Sequence, residues 1–126
     1  MKQEEILANA RLYSQQRQLV ERELEKLMYS LIELNNSVTT IKDMKSESSF
    51  VPIGGGAFVK AKLEGSNVLV PIGAGYHADY PLKEAGEEIA KRVVLTERAI
   101  SKLRDELGKI DHEMHHLEEE YRKLKG

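Results

Sequence analysis

Ile6, Ala10, Tyr13, Arg17, Val20, Leu24, Leu27, Leu31, Leu34, Val38 and Ile41 follow one another at intervals that alternate between four and three residues. Side chains at that spacing fall on one narrow helix face, the a/d stripe of a coiled coil. No Gly or Pro interrupts the pattern, and Arg17 is its one charged member. A second stripe runs through Leu82, Gly86, Ile89, Val93, Thr96, Ile100, Leu103, Leu107, Ile110, Met114, Leu117, Tyr121 and Leu124. The two stripes predict helices over 4–45 and 82–125, of nearly equal length. The insert between them is short, so the simplest packing folds the second helix back along the first, antiparallel. Each helix would run roughly 60–65 Å at about 1.5 Å per residue. Arg17 and Thr96 weaken the seam locally and are suited to fixing its register.

The insert, 46–81, has a different character. Charge falls to Lys60 and Lys62 against Glu47, Glu64 and Asp79, and most of the nine glycines lie here. The segments FVPI, AFVKAKL, NVLVPI and YHADY read as four short strands. IGGGA and IGAGY supply hairpin turns, where glycine adopts positive φ without steric cost, and LEGSNV supplies a third turn. Phe58, Lys60 and Lys62 alternate with Val59, Ala61 and Leu63, so one face of that strand can be buried. Pro52 and Pro71 cannot donate to a ladder and belong at an edge, a strand start or a bulge. Val-Pro-Ile-Gly-x-Gly occurs at 51–56 and again at 70–75, which implies two similar β-hairpins in tandem.

Two motifs suggest chemistry and fail on context. Gly73, Gly75 and Ala78 match G-x-G-x-x-A, but a dinucleotide site needs a helix starting at the glycines and a doubly wound sheet. The segment after Gly75 instead reads as a strand, and neither glycine cluster is followed by Gly-Lys-Ser/Thr. His112-Glu113-Met114-His115-His116 matches H-E-x-x-H. The seam through Ile110, Met114 and Leu117 places His112 at f and His116 at c, facing outward. A catalytic zinc needs a third ligand and a walled cleft, and neither is expected there. The serines Ser46, Ser48, Ser49 and Ser66 lie in loop-like sequence without a neighbouring histidine, and there is no cysteine. The expectation is therefore no catalytic residue, no cofactor site and no metal site.

Charged residues make up 32% of the 126 residues, and the net charge is -2 with the two signs interspersed. No basic stripe marks a nucleic-acid surface. No apolar run reaches the ~18 residues a membrane span needs, and MKQEEILANARLYSQQ does not read as a secretory signal. The absence of Cys suits a reducing compartment, so a cytoplasmic location is expected.

Isolated hairpins are marginal in water and have open edges. The hairpin residues Val51, Pro52, Ile53, Phe58, Val59, Leu63, Val68, Leu69, Val70, Ile72 and Tyr76 are therefore expected to join other chains, and closure into an inter-subunit β-barrel would remove the edges. The fold class is α+β: a long antiparallel two-helix coiled coil joined by two tandem β-hairpins. At the other end, Leu7 at e and Leu12 at c lie off the seam. Ile6, Ala10 and Tyr13 continue the seam opposite Tyr121 and Leu124. Seam ends fray, so this group is expected to be partly exposed and able to grip apolar chains. Met28 and Ile32 are also off the seam.

The arrangement of a long coil, FVPIGGGAFVKAKLEGSNVLVPIGAGYHADYPLKEA and a returning coil resembles the alpha class of prefoldin subunits over essentially the whole chain. LVPIGAGY followed closely by LKEA carries the most specific part, and two hairpins rather than one point to the alpha class. One departure is Pro81, where the family usually has a Thr or Ser helix cap; a proline suits the first helical position instead. The resemblance implies a single prefoldin-like domain over 1–126 and a hexamer of two alpha with four beta-class subunits. It further implies barrels built from the hairpins, and coils whose tips hold non-native polypeptides for a group II chaperonin without ATP. The competing expectation is a coiled-coil scaffold or self-assembling filament that transfers no clients.

Overall fold

A computed structural model describes residues 2–44, 48–65 and 67–126. The elements in chain order are α1 (Gln3–Asp43), β1 (Ser48–Gly54), β2 (Ala57–Lys62), β3 (Asn67–Gly73), β4 (Tyr76–Pro81) and α2 (Leu82–Lys125). Both helices carry acidic residues in the first turn and basic ones in the last, Glu4 and Glu5 against Lys42 in α1, Glu84 against Arg122, Lys123 and Lys125 in α2. Those charges complement the helix dipole. α1 closes at Asp43, with the Met44 amide turned back to the Ile41 carbonyl at 3.4 Å. Lys45, the last residue of the predicted helix, and Ser46, Glu47 and Ser66 of the predicted insert lie outside the described residues.

The chain divides into two compact units. The first comprises Met1–Ile32 with Val94–Gly126, the second Glu33–Val93. In the first unit the start of α1 lies beside the end of α2, and the predicted seam is its inner face. Ile6, Ile100, Ile110 and Leu117 are buried, and Ala10, Tyr13, Val20, Leu24, Leu27, Leu103, Leu107, Met114 and Tyr121 are half-buried. Leu124 is exposed, because the stripe runs out at the helix end.

Arg17 shows how a cation is tolerated at a seam position. Its Nε donates to Asp111 Oδ1 at 2.7 Å and its Nη2 to Oδ2 at 3.4 Å, while Nη1 pairs with Glu21 one turn on. The fork joins the two helices and pins their register through planar geometry that a lysine could not supply. The hydrogen bond from Arg17, and secondarily its charge, holds the Asp111 carboxyl below the usual carboxylate value. The contribution of this pair is complete at neutral pH and is lost as pH falls through that depressed value.

In the second unit Ala85 and Ile89 of α2 are buried, and Leu31's successors Leu34, Val38 and Ile41 are half-buried along α1. Near the end of α1 three hydroxyls bond back one turn: Ser37 to the Glu33 carbonyl, Thr39 to Asn35 and Thr40 to Asn36. These bonds satisfy polar side chains that would otherwise compete with the helix backbone. Gly86 stands where the seam pattern asks for a larger residue, and a Cβ there would meet Ile41 Cγ2 at 3.7 Å, an ordinary contact. Gly86→Ala is therefore expected to stabilise the chain by about 1 kcal/mol through helix propensity, without a clash. A thermal melt of the two proteins checks it, and a lower midpoint for the variant would contradict the reading that the added Cβ is accommodated beside Ile41.

The insert folds as predicted into two antiparallel hairpins, each a separate two-stranded sheet, β1–β2 and β3–β4. The strands start and stop slightly differently from the sequence reading: β1 begins at Ser48 and β2 ends at Lys62, leaving half-buried Leu63 outside the ladder. Both registers slip after the proline, between Pro52 and Gly54 and between Pro71 and Gly73. Each proline thus adjoins a bulge, where a missing donor does least harm. The turns are two residues long with positive φ at both, 59° and 78° at Gly55 and Gly56, 51° and 80° at Ala74 and Gly75. That is the primed turn whose twist matches a hairpin. Pro81 departs from expectation. It is the last residue of β4, opposite Asn67, and the helix begins one residue later at Leu82. The ladder holds it extended, so it stands at the cap position rather than inside the first turn.

Candidate functional surfaces

The hairpins carry the largest exposed apolar groups of the second unit. Residues opposite each other in an antiparallel pair share a face. On hairpin one, Phe50, Pro52, Phe58, Lys60 and Lys62 share one face and Val51, Val59 and Ala61 the other. Both faces are open to solvent: Phe50 is 68% exposed, Phe58 61%, and Val51, Ile53 and Val59 are exposed too. Hairpin two differs. Val68, Val70, Ala78 and Tyr80 share a face that is covered, with Val70 only 1% exposed, while Leu69, Ile72 and Tyr76 are exposed.

Among the expected assembly residues, Val70 is buried in the single chain, and Val68 and Leu63 are half-buried. Phe50 was absent from the predicted set. The signal for it is the internal repeat, which aligns Phe50 with Leu69.

At the paired helix ends of the first unit, Ile6, Leu7, Ala10, Met114, Leu117 and Tyr121 line an open groove of about 290 Å³, with Glu118 and Arg122 at its rim. The structure brings four predicted tip residues together there: Ile6, Leu7, Ala10 and Tyr121. Ile6 was expected to be partly exposed and is 2% exposed. It forms the floor, because α2 continues past it and covers the seam. Leu7, one residue on, is turned outward and exposed. Leu12, Tyr13 and Leu124 do not line the groove. Met114 and Leu117 do, and an antiparallel fold-back, which sets residues near 114 opposite those near 13, could have named them. Lys125 Nζ sits 5.1 Å from the centre of the Tyr121 ring, a cation–π contact that orients the ring at the groove wall.

The remaining motifs take their places around these surfaces. Gly73 ends β3 and Gly75 lies in the turn before β4, and no helix starts there. His112, His115 and His116 lie on the exposed side of α2. His115 Nε2 is 3.3 Å from Glu119 and His116 Nε2 is 4.0 Å from Glu120. Among the described residues no three His, Cys, Asp or Glu side chains are grouped to hold a metal ion, and no helix is long and apolar enough to cross a membrane.

This architecture has close counterparts. A chain in the cryo-EM structure of filamentous PFD from Methanocaldococcus jannaschii superposes with a TM-score of 0.73 at 23% identity, over 90% of this chain and 98% of that one. In sequence, Prefoldin subunit alpha of Methanococcus aeolicus is 30% identical over 122 residues, 91% of this chain and 84% of its own length. Prefoldin subunit alpha of Methanobrevibacter smithii is 29% identical over 103 residues, 79% of this chain and 70% of its own. The prefoldin subunit family model matches residues 13–125, which takes in all but the first turns of α1, both hairpins and the whole of α2. With two hairpins between two heptad helices and relatives of the alpha type on every side, the chain belongs to the prefoldin subunit family, as a member of its alpha class.

Proposed function

We propose that this chain is an ATP-independent chaperone subunit and not an enzyme, acting as one prefoldin-like domain in a cytoplasmic assembly. Its hairpins join it to other prefoldin subunits, beta-class chains in the ratio of two alpha to four beta. Its helix ends hold apolar segments of non-native proteins and pass them to a group II chaperonin. The observation that carries this reading is the exposed apolar surface of the hairpins, Phe50, Phe58, Leu69, Ile72 and Tyr76 among it, together with an apolar groove at the helix ends whose exposed wall is Leu7; other exposed apolar groups, such as Leu19, Tyr29 and Leu95, lie along the helices between. A groove of that size takes one or two side chains, so each contact is weak. Several such arms engaged at once give an avidity none has alone, and weak single contacts keep release easy.

The second reading is a structural subunit without client transfer, favoured by the likeness to a chain of filamentous PFD. One experiment separates the two. Leu7→Ser with Leu12→Ser alters side chains that are already exposed, so folding and assembly should be unchanged. Binding of an unfolded client by the assembled protein should weaken about tenfold, equivalent to ~1.4 kcal/mol. Aggregation of a denatured test protein, followed by light scattering, reads the effect. Suppression equal to that of the unaltered protein would leave the structural subunit as the better account.

A further inference from the structure

Three of the chain's four histidines fall within five residues of α2, at 112, 115 and 116. All three side chains are exposed, and they differ in what they touch. His115 is taken up by carboxylates, with Nε2 3.3 Å from Glu119 and Nδ1 4.0 Å from Glu118. His116 has Glu120 at 4.0 Å, beyond hydrogen-bond reach. The ion pairs of the cluster leave His112 out. His112 and His116 stand one turn apart on the same side of the helix, with Cβ atoms about 5–6 Å from each other. Two imidazoles at that spacing can turn toward one ion, at zinc–nitrogen distances of about 2.0–2.1 Å. His115, three residues from His112, is also near, but its two ring nitrogens already face Glu118 and Glu119.

We propose that His112 and His116 form a two-histidine clip for a divalent transition-metal ion of the zinc and nickel type, which imidazole suits. The cluster lacks the third ligand of a catalytic zinc, and a surface clip does not need one. The site therefore binds without catalysing, and it revises the expectation that the chain has no metal site. Its surroundings favour an ion. Side chains on a helix lean toward its N-terminus, so His112 extends over Gly108. A Cβ at Gly108 would meet nothing within 4 Å, and His112, Gly108 and Lys109 border one open concavity. Water ligands completing the coordination have room there. Asp111 is paired with Arg17. Apart from it, Glu113, Glu118, Glu119 and Glu120 stand against Lys109 alone between 109 and 120, so the local charge attracts a cation. Glu120 beside His116 is placed to orient that ring, as carboxylates commonly do for ligating histidines. Met114 lies within the clipped turn and lines the groove at the helix ends. An ion held at 112 and 116 thus braces the length of α2 that forms the groove wall.

The test titrates the full chain with Zn²⁺, and separately with Ni²⁺, by calorimetry. One ion should bind per chain. His112→Ala and His116→Ala should each weaken binding more than about tenfold, since even the partners of metal ligands cost that much. His115→Ala and His77→Ala should leave it nearly unchanged. All four residues are exposed, so the variants keep the fold. With Zn²⁺ at ten times its dissociation constant the folded form gains about elevenfold over the unfolded, ~1.4 kcal/mol. The thermal midpoint should accordingly rise on adding Zn²⁺ to the unaltered chain, and should not respond to Zn²⁺ in His112→Ala or His116→Ala. Binding weakened as much by His115→Ala as by His116→Ala overturns the clip in favour of a diffuse histidine cluster. One ion for every two chains overturns it in favour of a bridge between chains. An affinity in the unaltered chain no higher than in His112→Ala/His116→Ala overturns the site altogether.

Discussion

If the hairpins join this chain to other prefoldin subunits as proposed, Phe50→Glu with Phe58→Glu is expected to leave it monomeric in a mixture with those subunits. Both rings are more than half exposed in the single chain, on one open face of a two-stranded sheet. An aromatic side chain buries on the order of 150–250 Å² when it is covered. Aromatic anchors at the centre of an interface commonly cost about 2 kcal/mol or more when removed. Two of them correspond to roughly a thousandfold loss of affinity, before the cost of placing carboxylates in an apolar joint. The hairpin itself should survive, because position 50 lies opposite Lys60 and a carboxylate there gains a cross-strand partner. The elution position of the mixture gives the mass, and the β signal of the variant shows that the strands persist. Assembly at the unaltered mass would mean that the joint lies elsewhere than on this face.

The second large effect concerns the seam. Ile100→Ala removes a buried side chain, 5% exposed, from the inner face of the first unit. Such truncations cost about 2–5 kcal/mol, the lost transfer energy plus the cavity left behind. A two-helix seam has few neighbours able to move into the gap, and its core is thin. Among the described residues the buried apolar side chains are Ile6, Val70, Ala85, Ile89, Ile100, Ile110 and Leu117. Domains are stable by about 5–15 kcal/mol, so this one change would remove a large part of the total. Denaturant unfolding of the assembled protein should show a lower midpoint for Ile100→Ala. Leu95→Ala, an exposed neighbour on the same helix, should move it little. Equal shifts for the two would contradict the division into buried seam and solvated flank.

Opposite outcomes at neighbouring residues show what kind of information the chain carries. The heptad stripes announced both helices because a 3.5-residue repeat kept up over about five or six heptads has one simple physical meaning. The repeated Val-Pro-Ile-Gly-x-Gly announced two like hairpins for a similar reason: glycine in a two-residue turn and proline beside a bulge each permit few backbones. Ile6 and Leu7 are adjacent apolar residues at the same helix end, and only the passage of α2 over one of them makes the first a buried floor and the second an exposed wall. Val70 and Leu69 are likewise neighbours in one strand.

Strand alternation requires that Val70 and Leu69 face opposite ways, but it is silent on which way is in. The same uncertainty hid Phe50, whose exposure depends on hairpin one being left uncovered while one face of hairpin two is packed. Local spacing and turn chemistry were thus enough to determine the elements, their order and the class of fold, because they act within a few residues of one another. Which apolar faces are covered by this chain and which are left open was decided only by tertiary packing, since burial depends on what lies across the gap and sequence neighbours do not record it.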